Sequence, residues 1–401
     1  MNQTATAIPD HVAPDRVMDV NIYALPGMEQ DYQQSWRNLQ ESAPDIIWTP
    51  QNEGHWIAMR GDILAEVQSD YKRFSSRIII IPKSIGEMHG LIPTTIDPPE
   101  HRPYRVLLND SLAPSAIRGM HDAIQQTVIE LVDSFVADGR CNFTEQFARI
   151  FPIRVFMKMV DIPEEDAPKI RLWAESMTRP EPTMSFDAAK QAFYDYLGPI
   201  LEQRRAHPGD DLISRMITAD MGNGPMSHDQ ALAISTQILI AGVDTVVNFL
   251  GFVMLYLAEH PEACAELAAD PANILPATHE LFRRFGLVTI ARTVREDMEF
   301  HGVHLKAGEL VCIPTVVHGI DDRNFADPMK VDFKRPRTRH SGFGSGPHMC
   351  PGQELARMEI AITIEEWLKR IPHFRVAPDA DTHCSGGIVG SINRLCLEWD
   401  L

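Results

Sequence analysis

Phe343-Gly344-Ser345-Gly346-Pro347-His348-Met349-Cys350-Pro351-Gly352 decides how the rest of the chain is read. Gly344, Gly346 and Gly352 give the backbone access to positive φ angles and to close approach of a flat partner, which side-chain-bearing residues would hold away. Leu355, Met358 and Ile362 then recur at helical spacing, so a helix is expected to start at Pro351, the favoured first position for proline. A thiol at that helix mouth feels the positive end of the dipole. Its pKa is expected to fall, making the thiolate available as a metal ligand. The common alternative for a cysteine is a buried structural thiol. Only Cys350, of the six cysteines, has this glycine-flanked setting.

The 401 residues are 44% apolar, enough for a large core, and no linker-like stretch divides them. A formal charge of -18 argues against nucleic acid or an anionic membrane surface as a partner. No C-x-x-C pair occurs, which speaks against a zinc site or a dithiol and for reduced cytosolic thiols. Residues 1–20 are polar and lack a signal-peptide core, so they are expected to be extended or mobile and the protein cytoplasmic.

Helical spacing predicts a helix over Met28 to Ser42, followed by short strands around Ile46 to Trp48 and Trp56 to Met59. Ser75 to Pro99 reads as a long functional loop with a short helix inside. Pro114 to Leu201 is mostly helical, interrupted at Pro152, Pro163 and Pro180-Glu181-Pro182. Ser227-x-x-Gln230 is a capping box that opens a periodic segment ending at His260-Pro261, a helix of roughly 45 to 50 Å. Asp244 and Asn248 near its centre favour a buried core helix over a membrane span. A helix over His279 to Phe285 and strands around Glu299 to Val303 and Glu309 to Pro314 lead back to the cysteine loop.

The pattern Phe343-x-x-Gly346-x-x-x-Cys350-x-Gly352 resembles the haem-binding loop of the cytochrome P450 family, the haem-thiolate monooxygenases. The resemblance runs from about Tyr23 to Trp399. It implies a mainly α, single-domain fold with small β-sheets and a long central helix over the haem. It also implies haem b with Cys350 as axial ligand, and Phe343 and Gly344 in the loop against it. His348, Arg292, Arg105 and His101 match positions near the haem propionates, a task that guanidinium groups suit.

Ala241-Gly242-Val243-Asp244-Thr245 resembles the family's acid-alcohol pair: Thr245 would hydrogen-bond the oxygen being reduced and Asp244 would relay protons from solvent. Gly242 weakens a mid-helix position by about 1 kcal/mol relative to alanine, and the functional reading is that it opens the helix for dioxygen and water. Glu280-x-x-Arg283 with Arg335 matches the family's structural triad.

Within the family, Gly242 to Asn248 and Phe74-Ser75-Ser76 resemble the camphor-hydroxylase branch. That branch implies substrate contacts at Ile80, His89, Leu91, Thr94, Gln237, Val288 and Ile388. His89 replaces a tyrosine and Ile80 an aromatic residue, which points away from camphor itself. A neutral His89 can donate one hydrogen bond, so a terpenoid or norisoprenoid ketone is the expected substrate class.

The chain has no dinucleotide fingerprint and no cluster of iron-sulfur cysteines. The resemblance accordingly implies a [2Fe-2S] ferredoxin with its reductase, dioxygen as oxidant, and a basic docking patch of Lys72, Arg102, Arg105 and Arg337. A non-catalytic haem sensor and a peroxide-using enzyme are the rival readings; Asp244-Thr245 argues against both, since neither needs a proton relay.

Overall fold

The computed structural model describes residues 6–178, 183–222 and 224–401, so the Pro180-Glu181-Pro182 break lies outside the described residues. The fold is organised by one helix. Ser227 caps it: its Oγ accepts from the Gln230 amide while the Gln230 side chain accepts from the Ser227 amide. From there His228–Glu259 runs 32 residues, roughly 48 Å, to the His260-Pro261 stop. Among the described residues it is the one helix long and apolar enough to cross a membrane. Helices Phe151–Val160, Ala167–Thr178 and Phe186–Ala206 and strand Ser391–Arg394 pack against it, which makes it a core helix.

Two apolar clusters divide along this helix. Leu239 and Ile240 in its first half join the cluster built with Phe156, Met157, Phe193 and Leu197. Phe249, Leu250, Val253 and Met254 in its second half join the larger cluster with Trp36, Trp56, Leu281 and Trp367. Burial of these side chains stabilises the fold by roughly 1.5 to 3 kcal/mol each.

A five-stranded sheet lies beside the helices, ordered Ile46–Thr49, His55–Ala58, Leu310–Pro314, Thr289–Val294, Phe74–Ser75; the pairing of His55–Ala58 with Leu310–Pro314 is parallel and the rest antiparallel. Arg140–Asn142 pairs with Cys396–Glu398, placing a strand inside a stretch whose spacing reads as helix.

Several boundaries differ from the sequence reading. The first long helix spans Tyr32–Ser42, because Asp31 caps it by accepting from the Gln34 amide and Pro26-Gly27 holds the preceding residues in turns. The helix holding Glu280 begins earlier than expected, at Ile274, and ends at Arg284. Pro152 sits in the first turn of Phe151–Val160 and therefore starts a helix, since the amide it lacks is one that helix would leave unpaired. The N-terminal stretch is tied down from Thr6: its amide donates to Pro50, the Met18 amide donates to Trp48, and Val12 and Val20 are buried.

Candidate active site

The cysteine loop closes on itself before its helix begins. The Cys350 amide donates to the Phe343 carbonyl at 2.8 Å and the Gly344 amide to Ser341 at 2.8 Å. Gly344 and Gly346 adopt φ of 76° and 72°. At Gly346 a Cβ would also lie 2.6 Å from the Ser69 Cα, so the residue serves both turn and close approach. Gly352 does not need its freedom: it sits at φ -85° and is the cap of the helix Gln353–Arg370. Pro351 thus precedes the helix by two residues and occupies the turn between cysteine and cap.

That shift corrects the expected acidity of Cys350. The thiol is raised above its ordinary value, first by burial; a hydrogen bond from the Gly352 amide and the charge of Arg105 pull the other way. Desolvation outweighs a dipole whose first turn starts beyond the sulfur. The protein alone therefore does not supply a ready thiolate. A bound cation would have to supply the compensating charge.

Around the loop, buried nitrogen groups collect without anions to match them. The His101 and His348 rings stand 4.1 Å apart, each with a buried Nε2 that has no hydrogen-bond partner. Burial lowers both, His101 to about 4. Arg292 is 4% exposed, and its one side-chain hydrogen bond goes to the neighbouring Ala291 carbonyl; burial brings it down to about 10. Arg105 is half-buried and donates to the Met349 carbonyl. The neighbouring carboxylate, Asp97, is engaged by Ser75, the Ser76 amide and Arg295. Buried guanidinium groups require an anionic partner, and buried imidazole nitrogens a hydrogen-bond partner. Two carboxylates on one flat ligand beside Cys350 would satisfy them, so the donor set fits the propionates of a haem.

Across the same cavity lie Ala241, Asp244 and Thr245. Asp244 is 3% exposed, and its carboxylate accepts from Asn248 Nδ2 at 2.9 Å. Thr245 donates its hydroxyl to the Ala241 carbonyl at 3.1 Å. The helix continues without interruption through this segment, and Gly242 lines the cavity. The glycine also admits the Phe156 ring, whose Cδ2 would lie 2.5 Å from an added Cβ.

Of the residues expected to meet substrate, Ile80, His89, Thr94, Gln237, Val288 and Ile388 line this cavity. Leu91 does not line it. It is fully buried in the apolar cluster with Tyr104 and Phe193, beyond the left-handed turn at Gly90. His89 Nε2 lies 3.2 Å from Gln237 Oε1, and burial depresses His89 to about 4.

The three structural residues also come together. Glu280 bonds Arg283 at 2.7 and 2.8 Å and Arg335 at 3.1 Å, and the two arginines hold the carbonyls of Ala326, Asp327, Pro328 and Lys330. Lys72, Arg102 and Arg337 are exposed.

Sequence reasoning passed over Phe156, Lys190 and Glu359. Lys190 donates to the Met88 and His89 carbonyls at 3.2 Å each. Glu359 is 3% exposed and borders the cavity. Its spacing from Leu355 and Ile362 already set a carboxyl on the apolar face of its helix.

A cysteine held beside unmatched buried cations, facing an acid-alcohol pair across an apolar cavity, defines a haem-thiolate protein. The cytochrome P450 family model matches residues 176–384. The chain is 30% identical to "Probable cytochrome P450 127A1" of Sinorhizobium fredii, over 98% of this chain and 97% of that protein. It is 29% identical to the mycinamicin IV hydroxylase/epoxidase of Micromonospora griseorubida, over 88% and 91%. The crystal structure of CYP101J2 superposes with a TM-score of 0.92 at 44% identity, covering 99% of this chain and 100% of that one. CYP101C1 does so with 0.91 at 37%, covering 98% and 100%. The chain belongs to the cytochrome P450 family; it is a monooxygenase whose cofactor is haem b.

Proposed function

We propose that this monooxygenase hydroxylates a small, mainly apolar molecule of terpenoid or norisoprenoid size that carries a ketone-type oxygen. Its electrons come from a [2Fe-2S] ferredoxin and reductase, and it works in the cytoplasm. The observation that carries this reading is a single cavity with Cys350 on one side and Asp244 and Thr245 on the other, its remaining walls largely apolar and its few polar groups including His89, Thr94 and Gln237. Haem b, when bound by Cys350 with Arg292, Arg105, His101 and His348 toward its propionates, supplies the thiolate-ligated iron that activates dioxygen.

The chain's own groups then have separable tasks. Thr245 donates its hydroxyl hydrogen bond to the Ala241 carbonyl, so its oxygen lone pairs are available to a donor in the cavity. Asp244 is oriented by Asn248 and borders both this cavity and a second one lined by Glu29, Arg149, Glu175 and Asn393. A carboxyl shared by two cavities suits proton relay from solvent. Ile80, Val288 and Ile388 exclude water from the reacting carbon.

The similarity to CYP101 structures supports a ferredoxin as electron donor, and Lys72, Arg102, Arg105 and Arg337 are the candidate docking residues on an acidic protein. The acid-alcohol pair favours this reading over peroxide use. The test is a terpenoid panel followed by the low- to high-spin shift, then turnover with a bacterial ferredoxin system. Substrate binding without ferredoxin-driven product, but with product from added peroxide, would refute it.

A further inference from the structure

His89 closes a short helix, Lys83–His89, and faces the long helix at Gln237. Its imidazole is neutral near pH 7, since burial depresses it to about 4, and it therefore carries one N–H. Two hydrogen arrangements fit the 3.2 Å contact between Nε2 and the Gln237 amide. Either Nε2–H donates to Oε1, or the amide turns over and donates to a bare Nε2. The two differ at Nδ1, which is buried and without a hydrogen-bond partner.

The setting of Nδ1 decides between them. A buried N–H left without an acceptor is rarer and costlier than a bare lone pair, which keeps the proton off Nδ1. Lys190, bonded to the carbonyls of Met88 and His89, adds a positive charge that further disfavours the imidazolium. The proton then sits on Nε2 and is committed to Gln237 Oε1. His89 has no donor left for a substrate, whereas the Gln237 amide NH2 has both N–H bonds remaining and lines the cavity.

We propose that Gln237, oriented by His89, is the residue that recognises the substrate, and that it selects an oxygen that only accepts hydrogen bonds, a ketone or ether. This rests on the proposed function and assigns the recognition group within it. His89 is a positioning residue. Gln237, Ala241 and Thr245 share a helix face at four-residue intervals, so Gln237 and Thr245 are roughly 12 Å apart along the axis.

The test uses the ferric holoenzyme and monoterpene ketones paired with the hydrocarbons lacking their oxygen, such as camphor with bornane and menthone with menthane. Gln237→Leu should lower the ketone-to-hydrocarbon affinity ratio roughly three- to tenfold, the worth of one neutral hydrogen bond, while hydrocarbon binding persists and shows the cavity intact. Histidine 15N spectra of the diamagnetic ferrous carbon monoxide form, assigned with His89→Phe, should show His89 protonated at Nε2. A wild type that prefers the ketone, with a Gln237→Leu variant that keeps that preference, overturns the assignment and leaves the proposed function standing. A wild type that binds each pair alike removes both. An Nδ1–H tautomer in the wild type overturns the role of His89.

Discussion

Replacing Gly242 by alanine sets two effects of similar size against each other. Helix propensity favours the change by about 1 kcal/mol at an interior position. Packing opposes it: the new Cβ would lie 2.5, 2.7 and 2.8 Å from Cδ2, Cε2 and Cγ of Phe156. An aromatic ring buried between two helices cannot yield as the tip of a flexible chain would, and overpacking of this kind costs about 1 to 3 kcal/mol. Gly242→Ala should therefore destabilise by about 0 to 2 kcal/mol in the wild type. In a Phe156→Ala background, which lacks all three clashing atoms, the obstruction is gone, and the same substitution should stabilise by up to about 1 kcal/mol. The cycle is measured by urea unfolding of the holoenzyme, followed by far-ultraviolet circular dichroism and by loss of the thiolate carbon monoxide band. A coupling of about 1 to 3 kcal/mol is expected. Equal effects in both backgrounds would refute the packing account and return the glycine to a role in opening the helix.

Cys350→His should abolish the long-wavelength thiolate band of the ferrous carbon monoxide complex while the other five cysteines remain; survival of that band would exclude Cys350 as ligand. Thr245→Ala should keep NADH consumption through the redox chain but divert it to hydrogen peroxide, and unchanged coupling would remove Thr245 from proton delivery. Pro351→Leu should raise the ferric/ferrous potential, because it adds a second amide beside the one Gly352 already directs at the sulfur; spectroelectrochemistry showing an equal or lower potential would leave Pro351 only a turn role. Burial pushes the Glu359 carboxyl from 4.5 to about 8. Between those values the folded state keeps a proton that the unfolded chain has released, so stability falls as pH rises, by about 1.4 kcal/mol per unit. Glu359→Gln should flatten that decline in unfolding midpoints taken between pH 5.5 and 7.5, and identical slopes would show the group to be solvated.

How much of this was legible depended on the range of the interaction that places each residue. The long helix was readable because its start and stop are local: Ser227 and Gln230 satisfy each other's amides, and Pro261 cannot continue a ladder. The cysteine loop was readable because Gly344 and Gly346 answer a backbone requirement that few other residues meet. The sheet was not readable at its edges. Phe74–Ser75 is two residues long and is a strand only because Val294 and Thr293, over 200 residues away, pair with it. Arg140–Asn142 likewise exists through Cys396–Glu398 at the far end of the chain. No local period can announce such a segment.

The site residues divide in the same way, and the division explains why one expectation changed sign. Position along the chain placed Cys350 near a helix N-terminus, but its acidity depends on desolvation by the whole surrounding core, and burial reverses what the dipole alone would do. Position likewise set His89 in the cavity wall, yet the group that engages its Nε2 is Gln237, reaching from another helix. A motif names the side chain that stands at a site. The charge and hydrogen-bond valence that side chain has left for a ligand are properties of its neighbours, and here Gln237 takes up the Nε2 contact of the histidine that the loop displays.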